Sequence, residues 1–277
     1  MLIAHPMLIA QMSDLHVTAP GTAPATDYDT NARLAAAVAH LNAMTPRPDL
    51  LLITGDLVNG PKPGEYEALS ALLEPLAVPF RVVAGNHDDR EELRRCFSGT
   101  GWMPTEGAFI HYAVEEFPVR ILVLDSVVPG QAVGGLCADR LSWLAERLAE
   151  QPGRPTVLAL HHPPFDTGLA FLDTLRCREG AEELGRLVRS NPNVKAVLCG
   201  HTHRQTAVAW NGAHGYVAPS IAYQIALDLA PEPPYRWTEE PSALALHLFR
   251  PDGAVVTHLS VIGGYPAREF SRKARNS

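Results

Sequence analysis

Leu50-Leu51-Leu52-Ile53-Thr54-Gly55-Asp56 is the stretch on which the fold turns. Residues 50–54 are apolar or β-branched in unbroken order, with no polar stripe at helical spacing. Such a run reads as a strand buried on both faces, the kind found in sheets covered by helices. Gly55 then lets the backbone turn closely, and Asp56 stands where the strand emerges. The chain repeats this arrangement elsewhere. Runs at 7–12, 80–84, 120–124, 156–160 and 194–199 are also short and rich in Leu, Ile and Val. Polar, metal-binding side chains follow several of them: Asp14-Leu15-His16, Gly85-Asn86-His87-Asp88, His161-His162 and Gly200-His201-Thr202-His203.

Helical patterns separate the strands. Segment 31–44 carries Leu34, Val38 and Leu41 at helical spacing, and 65–73, 139–150 and 180–189 show similar stripes. Asp89, with Glu92 three residues on, reads as a helix cap rather than a catalytic group. Beyond residue 205 the pattern changes. Asn211-Gly212 lies between 206–210 and 215–218, and Pro251-Asp252-Gly253 between 243–249 and 254–261; both signal hairpins. Segment 229–241 reads as a proline-rich loop. Alternating strands and helices followed by hairpins predict a layered α/β protein. The expected organisation is one domain over 1–277, with 206–263 a hairpin-rich C-terminal part and 264–277 a flexible tail.

Composition narrows the function. The 277 residues are 46% hydrophobic and 19% charged, with formal net charge −7. There is no Lys/Arg block, which argues against a nucleic-acid polymer as partner. No apolar run approaches bilayer-spanning length, so no membrane partner is expected. The four cysteines form no CxxC pair, which speaks against structural zinc and suits a reduced, cytoplasmic protein. The opening MLIAHPMLIAQM reads as a first strand rather than a leader, and its repeated MLIA leaves Met1 and Met7 as alternative starts.

Singly, each polar patch is ordinary. A Gly-Asp at a strand end is often a turn, and His161-His162 before two prolines can be a satisfied turn. Jointly they supply two carboxylates, one amide and several imidazoles, a donor set suited to two neighbouring cations. On strands, period-two geometry would point Asp14 with His16, and His201 with His203, to one side.

The ordered series DxH, GD, GNHD, HH and GHxH resembles the calcineurin-like metallophosphoesterase superfamily over about Asp14 to His203. GNHDD, HHPP and CGHTH, with Gly-Asp-Leu-Val-Asn-Gly and Gly64-Glu65-Tyr66, are closer to one branch. That branch holds bacterial class III cyclic-nucleotide phosphodiesterases and related glycerophosphodiesterases. The resemblance implies a four-layer α/β/β/α sandwich with C-terminal hairpins. It implies that Asp14, His16 and His203 hold one metal ion, that Asn86, His161 and His201 hold another, and that Asp56 bridges them. The cofactors would be two divalent or trivalent ions: Fe, Mn, Zn or Co. Hydroxide made at these ions would attack a small phosphodiester, of cyclic-nucleotide or glycerophosphodiester type. His87 would act at the leaving oxygen, and His162 and Tyr223 would face the substrate. Glu179 stands where some relatives carry Asn. The alternatives are a phosphomonoesterase or protein phosphatase on the same scaffold, for which Arg90 is the nearest arginine, and a non-catalytic metal-binding interaction protein. Trp210, Trp237 and Tyr265 either form a homo-oligomer face in the C-terminal region or cap the domain's own sheets.

Overall fold

A computed structural model of the chain describes residues 6–22 and 28–269. The choice of Met1 as start, and the tail beyond 269, fall outside the described residues. In chain order the strands are β1 (Met7–Met12), β2 (Leu50–Ile53), β3 (Phe80–Val82), β4 (Tyr112–Val114), β5 (Arg120–Val123), β6 (Gly134–Gly135), β7 (Thr156–Ala159), β8 (Cys177–Glu179), β9 (Val194–Cys199), β10 (Thr206–Trp210), β11 (Ala213–Val217), β12 (Gln224–Ile225), β13 (Trp237–Thr238), β14 (Ala243–Phe249) and β15 (Val255–Val261). The helices are α1 (Thr30–Asn42), α2 (Glu65–Leu73), α3 (Arg90–Cys96), α4 (Ala138–Glu150), α5 (Ala170–Asp173) and α6 (Ala181–Ser190).

Two sheets carry the fold. One runs β15-β14-β1-β2-β3 and the other β10-β11-β9-β7-β5-β4. Central strands pair in parallel, as β1 with β2 and β7 with β9, and their completely buried residues explain the unbroken apolar runs. Alternation along the second sheet shows how the layers stack. Ile121, Val123, Val157, Ala159, Ala196 and Leu198 join an apolar cluster with the first sheet and with α1 and α2. Their neighbours Leu122, Leu158 and Val197 join a second cluster with Leu144 of α4 and Leu184 of α6. Successive side chains on a strand point to opposite faces, so the second sheet lies between the first sheet and α4/α6. The result is the expected α/β sandwich.

The two C-terminal hairpins are built into the sheets. β14 pairs antiparallel with β1, and β11 pairs parallel with β9. Asn211 and Gly212 have φ of 51° and 89°, the double left-handed turn that a two-residue hairpin needs. Asp89 caps α3 through Glu91 N–H and Glu92 N–H at 2.9 and 3.0 Å. The reciprocal half of a capping box is absent: Asp89 N–H donates to Tyr66 Oη instead, and Glu92 pairs with Arg95. Among the described residues, no helix is long and apolar enough to cross a membrane.

Candidate metal centre

The donors sit on loops that leave the strands. Asp14 and His16 follow β1, Asp56 follows β2, Asn86 and His87 follow β3, His161 and His162 follow β7, and His201 and His203 follow β9. The strand-pleat reading of the two i,i+2 pairs needs correction. Asp14, His16, Asp56, His201 and His203 all have positive φ, from 47° to 76°, so left-handed turns rather than pleats aim them. Asp and His tolerate this region better than most residues, yet each such position costs on the order of 1 kcal/mol and persists only where its surroundings enforce it. Backbone bonds between the loops do so. Asp14 N–H donates to Gly55 O at 3.0 Å, His16 N–H to Asp56 O at 3.0 Å and Gly200 N–H to His161 O at 2.9 Å. Close approach explains Gly85: a Cβ there would lie 2.2 Å from Asp56 N.

The side chains converge in two groups. Ligand-type atoms of Asp14, His16, Asp56 and His203 lie within 4.8 Å of one another, and so do those of His161, His162 and His201. His16 Nε2 is 3.0 Å from His203 Nε2, and Asp14 Oδ1 is 3.3 Å from His203 Nε2. Asp56 joins the groups: its Oδ2 is 3.3 Å from His161 Nε2 and 3.8 Å from His16 Nε2.

The unmatched polar atoms test whether cations fit. Asn86 Oδ1 and the Nε2 atoms of His162 and His201 are buried without a hydrogen-bond partner, while His161 Nε2 faces the Asp56 carboxylate at 3.3 Å. An orphaned buried acceptor is costly, and three beside a buried carboxylate–imidazole pair form a donor set suited to a cation. Backbone carbonyls fix two of the outward nitrogens. His161 Nδ1 donates to Thr54 O at 2.7 Å and His203 Nδ1 to Tyr223 O at 3.0 Å; each bond leaves an Nε2 lone pair turned inward.

Burial presses His16 and His201 down to about 3, reinforced by neighbouring imidazoles, so both rings are neutral donors. For Asp14, burial works upward, but His203 and His161 override it and hold the carboxyl at about 2. Burial likewise opposes charge on His161, yet the Asp56 carboxylate raises it to about 9. A proton and a cation therefore compete for that nitrogen.

The role of Asp88 was not legible in sequence. Asp88 accepts from Leu57, Val58 and Gly85 N–H groups, stapling the loop after β2 to the loop after β3. Its burial, and then Asp56, lift its carboxyl to about 7. His162 is fully buried with Nδ1 on Ser126 Oγ at 2.8 Å, and its Nε2 stands with the second donor group. Tyr223 does border the site: its ring lies 4.5 Å from His203 and 5.7 Å from His16, between centroids. His87 is half-buried, with Nδ1 on Asn59 O at 2.8 Å and its ring 4.8 Å from His16. Glu179 is exposed on β8. Arg90 is committed elsewhere, gripping Asp125 with bonds of 2.6 and 3.0 Å.

Comparison with known proteins agrees with this geometry. The calcineurin-like phosphoesterase family model matches residues 7–205. The chain is 34% identical to a probable glycerophosphodiester phosphodiesterase of Arcobacter nitrofigilis, over 94% of both chains. It is 35% identical to a cAMP/cGMP dual specificity phosphodiesterase of Mycobacterium tuberculosis, over 80% of this chain and 70% of that protein. A dimetal phosphatase from Danio rerio shares the fold, with a TM-score of 0.66 at 16% identity over 95% of this chain and all of that one.

Proposed function

This chain belongs to the calcineurin-like phosphoesterase family, and from that membership we propose that it hydrolyses small phosphodiesters at a pair of metal ions. The observation that carries the reading is Asp56, whose carboxylate stands between two groups of buried donors. Asp14, His16 and His203 would hold one ion, Asn86, His161 and His201 the other, and Asp56 both. Such ions supply Lewis-acid stabilisation of phosphoryl charge and a water of lowered pKa. Carboxylate, amide and imidazole donors suit Mn, Fe, Co or Zn.

The chain's own groups do the rest. His87 Nδ1–H donates to Asn59 O, and it is the doubly protonated ring that would give its Nε2 proton to the departing alkoxide. Asp56 Oδ1 accepts the His87 backbone N–H at 2.9 Å, which ties the loop carrying His87 to the loop carrying Asp56. Tyr223 offers a ring face beside His203 and His16 for the substrate's organic part. His162, its ring locked by Ser126, presents Nε2 from the opposite donor group.

A diester is favoured over a dianionic monoester or phosphoprotein by the arginines. Arg90 is held by Asp125 and Arg204 by Glu240, so neither supplies a free guanidinium for the second charge. Free thiols at Cys96, Cys137, Cys177 and Cys199 support a reducing, cytoplasmic setting. Trp210 packs on Phe165 at 5.8 Å and so caps the chain's own sheet. Leu227, Leu229, Tyr235 and Trp237 are exposed and support self-association through the C-terminal region, which light scattering would test.

The test is hydrolysis of bis(p-nitrophenyl) phosphate against p-nitrophenyl phosphate with Mn2+, followed by cyclic AMP, glycerophosphocholine and glycerophosphoethanolamine. A preference for the diester supports the reading; a preference for the monoester overturns it.

A further inference from the structure

A continuous hydrogen-bonded chain runs between the two sheets and ends on the metal loops. Gln11 of β1 is fully buried, as are Thr54 and His247. Gln11 Nε2 donates to Thr54 Oγ1 and to Cys199 O, both at 2.9 Å. The Cys199 carbonyl can only accept, so the amide NH2 must face it and Oε1 must face the other way. There Oε1 accepts from His247 Nε2 at 2.9 Å. That bond fixes the His247 tautomer, and Nδ1 accepts from the Thr257 hydroxyl at 2.8 Å. Thr257 Oγ1 in turn accepts from His214 Nε2 at 3.1 Å, where the chain crosses from β15 to β11 and meets the half-buried edge.

Gln11 and the two strand ends its NH2 ties are the roots of donor loops. Gln11 precedes Asp14 and His16, Thr54 precedes Asp56, and Cys199 precedes His201 and His203. Thr54 O also accepts from His161 Nδ1 at 2.7 Å and Ser13 Oγ at 3.2 Å. The Gln11 amide, itself at the root of the Asp14 loop, therefore touches the bases of the Asp56 and His201/His203 loops, and Thr54 O carries the contact on to His161. A polar network in the middle of an apolar sandwich is tolerated only when each member is satisfied, and here each is.

We propose that Gln11 and His247 are positioning residues for the cation pair: a buried amide, locked in one orientation by a buried imidazole, sets the spacing between the two donor groups. The inference rests on the two-cation reading. Outer partners that orient metal ligands typically govern affinity by about 10–100-fold, and this pair acts on several ligands at once.

The experiment is calorimetric titration of the metal-free full chain with Mn2+, alongside thermal melts. Wild type taking up two equivalents upholds the two-cation reading; fewer than two would fail that reading and not the network. Gln11→Met and His247→Leu remove the polar contacts at similar volume and are expected to weaken Mn2+ binding by roughly 10–100-fold. His247→Gln can still donate to Gln11 Oε1 and is expected to bind near wild type. A purely structural role would lower the melting temperature of all three variants while leaving affinity unchanged, and that result overturns the proposal. If Gln11→Met does not fold, the two His247 variants decide: equal Mn2+ affinity in both overturns it.

Discussion

Asp56 Oδ2 stands 3.3 Å from His161 Nε2, a buried carboxylate facing a buried imidazole from another sheet. The same oxygen lies 3.8 Å from His16 Nε2, so one carboxylate is close to both donor groups. Asp56→Asn keeps the shape and removes the charge. It is expected to lower kcat/KM on a diester by at least about 1000-fold, roughly 4 kcal/mol, with metal content below wild type. Steady-state kinetics and elemental analysis check this together; retention of both ions and of activity would remove the bridging role.

His87 tests the acid. If its Nε2 protonates the leaving oxygen, His87→Ala costs most where the leaving group is a poor one. A loss of about 100-fold or more is expected for an alkyl ester, in the range of general acid catalysis, and much less for p-nitrophenolate. An equal loss on both esters would assign His87 a role in positioning only.

Gly85 tests the tightness of the cradle. A Cβ there would lie 2.2 Å from Asp56 N and 2.3 Å from Asp56 Oδ1, neither free to move without shifting the carboxylate. Gly85→Ala is expected to destabilise by about 1–3 kcal/mol, as overpacking does, and to reduce metal content. Urea melts and elemental analysis measure both.

Removal of metal should cost stability. Ions that bind only the folded chain stabilise it by about 2.7 kcal/mol at a hundredfold excess over Kd. Chelation is expected to lower Tm, and Mn2+ to restore it in proportion to the logarithm of its concentration. A Tm indifferent to chelator would mean that the donors hold no ion.

Acid stability should follow His247. Burial, and then His214, push its pKa from 6.5 down to about 3, so the folded chain resists a proton that the unfolded chain accepts. The stabilisation is complete above about pH 6.5 and is lost as pH falls toward 3, with a slope of up to about 1.4 kcal/mol per pH unit for one proton. Comparison of urea midpoints at pH 7 and pH 5 should show a smaller drop in His247→Gln than in wild type.

The apolar runs made the sheets legible, because doubly buried strands leave no polar alternation to mislead. Helix α2 falls at Glu65–Leu73 as read, and the strand ends shift by one or two residues only where loops turn. The short β4 and the two-residue strands β6, β12 and β13 were not legible, since pairs such as Gly134–Gly135 are held by partners distant in sequence. At the site, the motifs named side chains that the structure brings together in two groups. Their left-handed backbone was not legible, nor was the reach of Asp88 to the Leu57 turn or of Gln11 to Cys199 O, 188 residues away. Those contacts depend on which strands lie side by side, which local sequence does not encode.

The most direct measurement is anomalous diffraction from crystals grown with Mn2+. Two peaks about 3.5 Å apart, with the Asp56 carboxylate touching both, are the expected result. A single peak, or two peaks with Asp56 touching neither, would contradict the paired-cation centre.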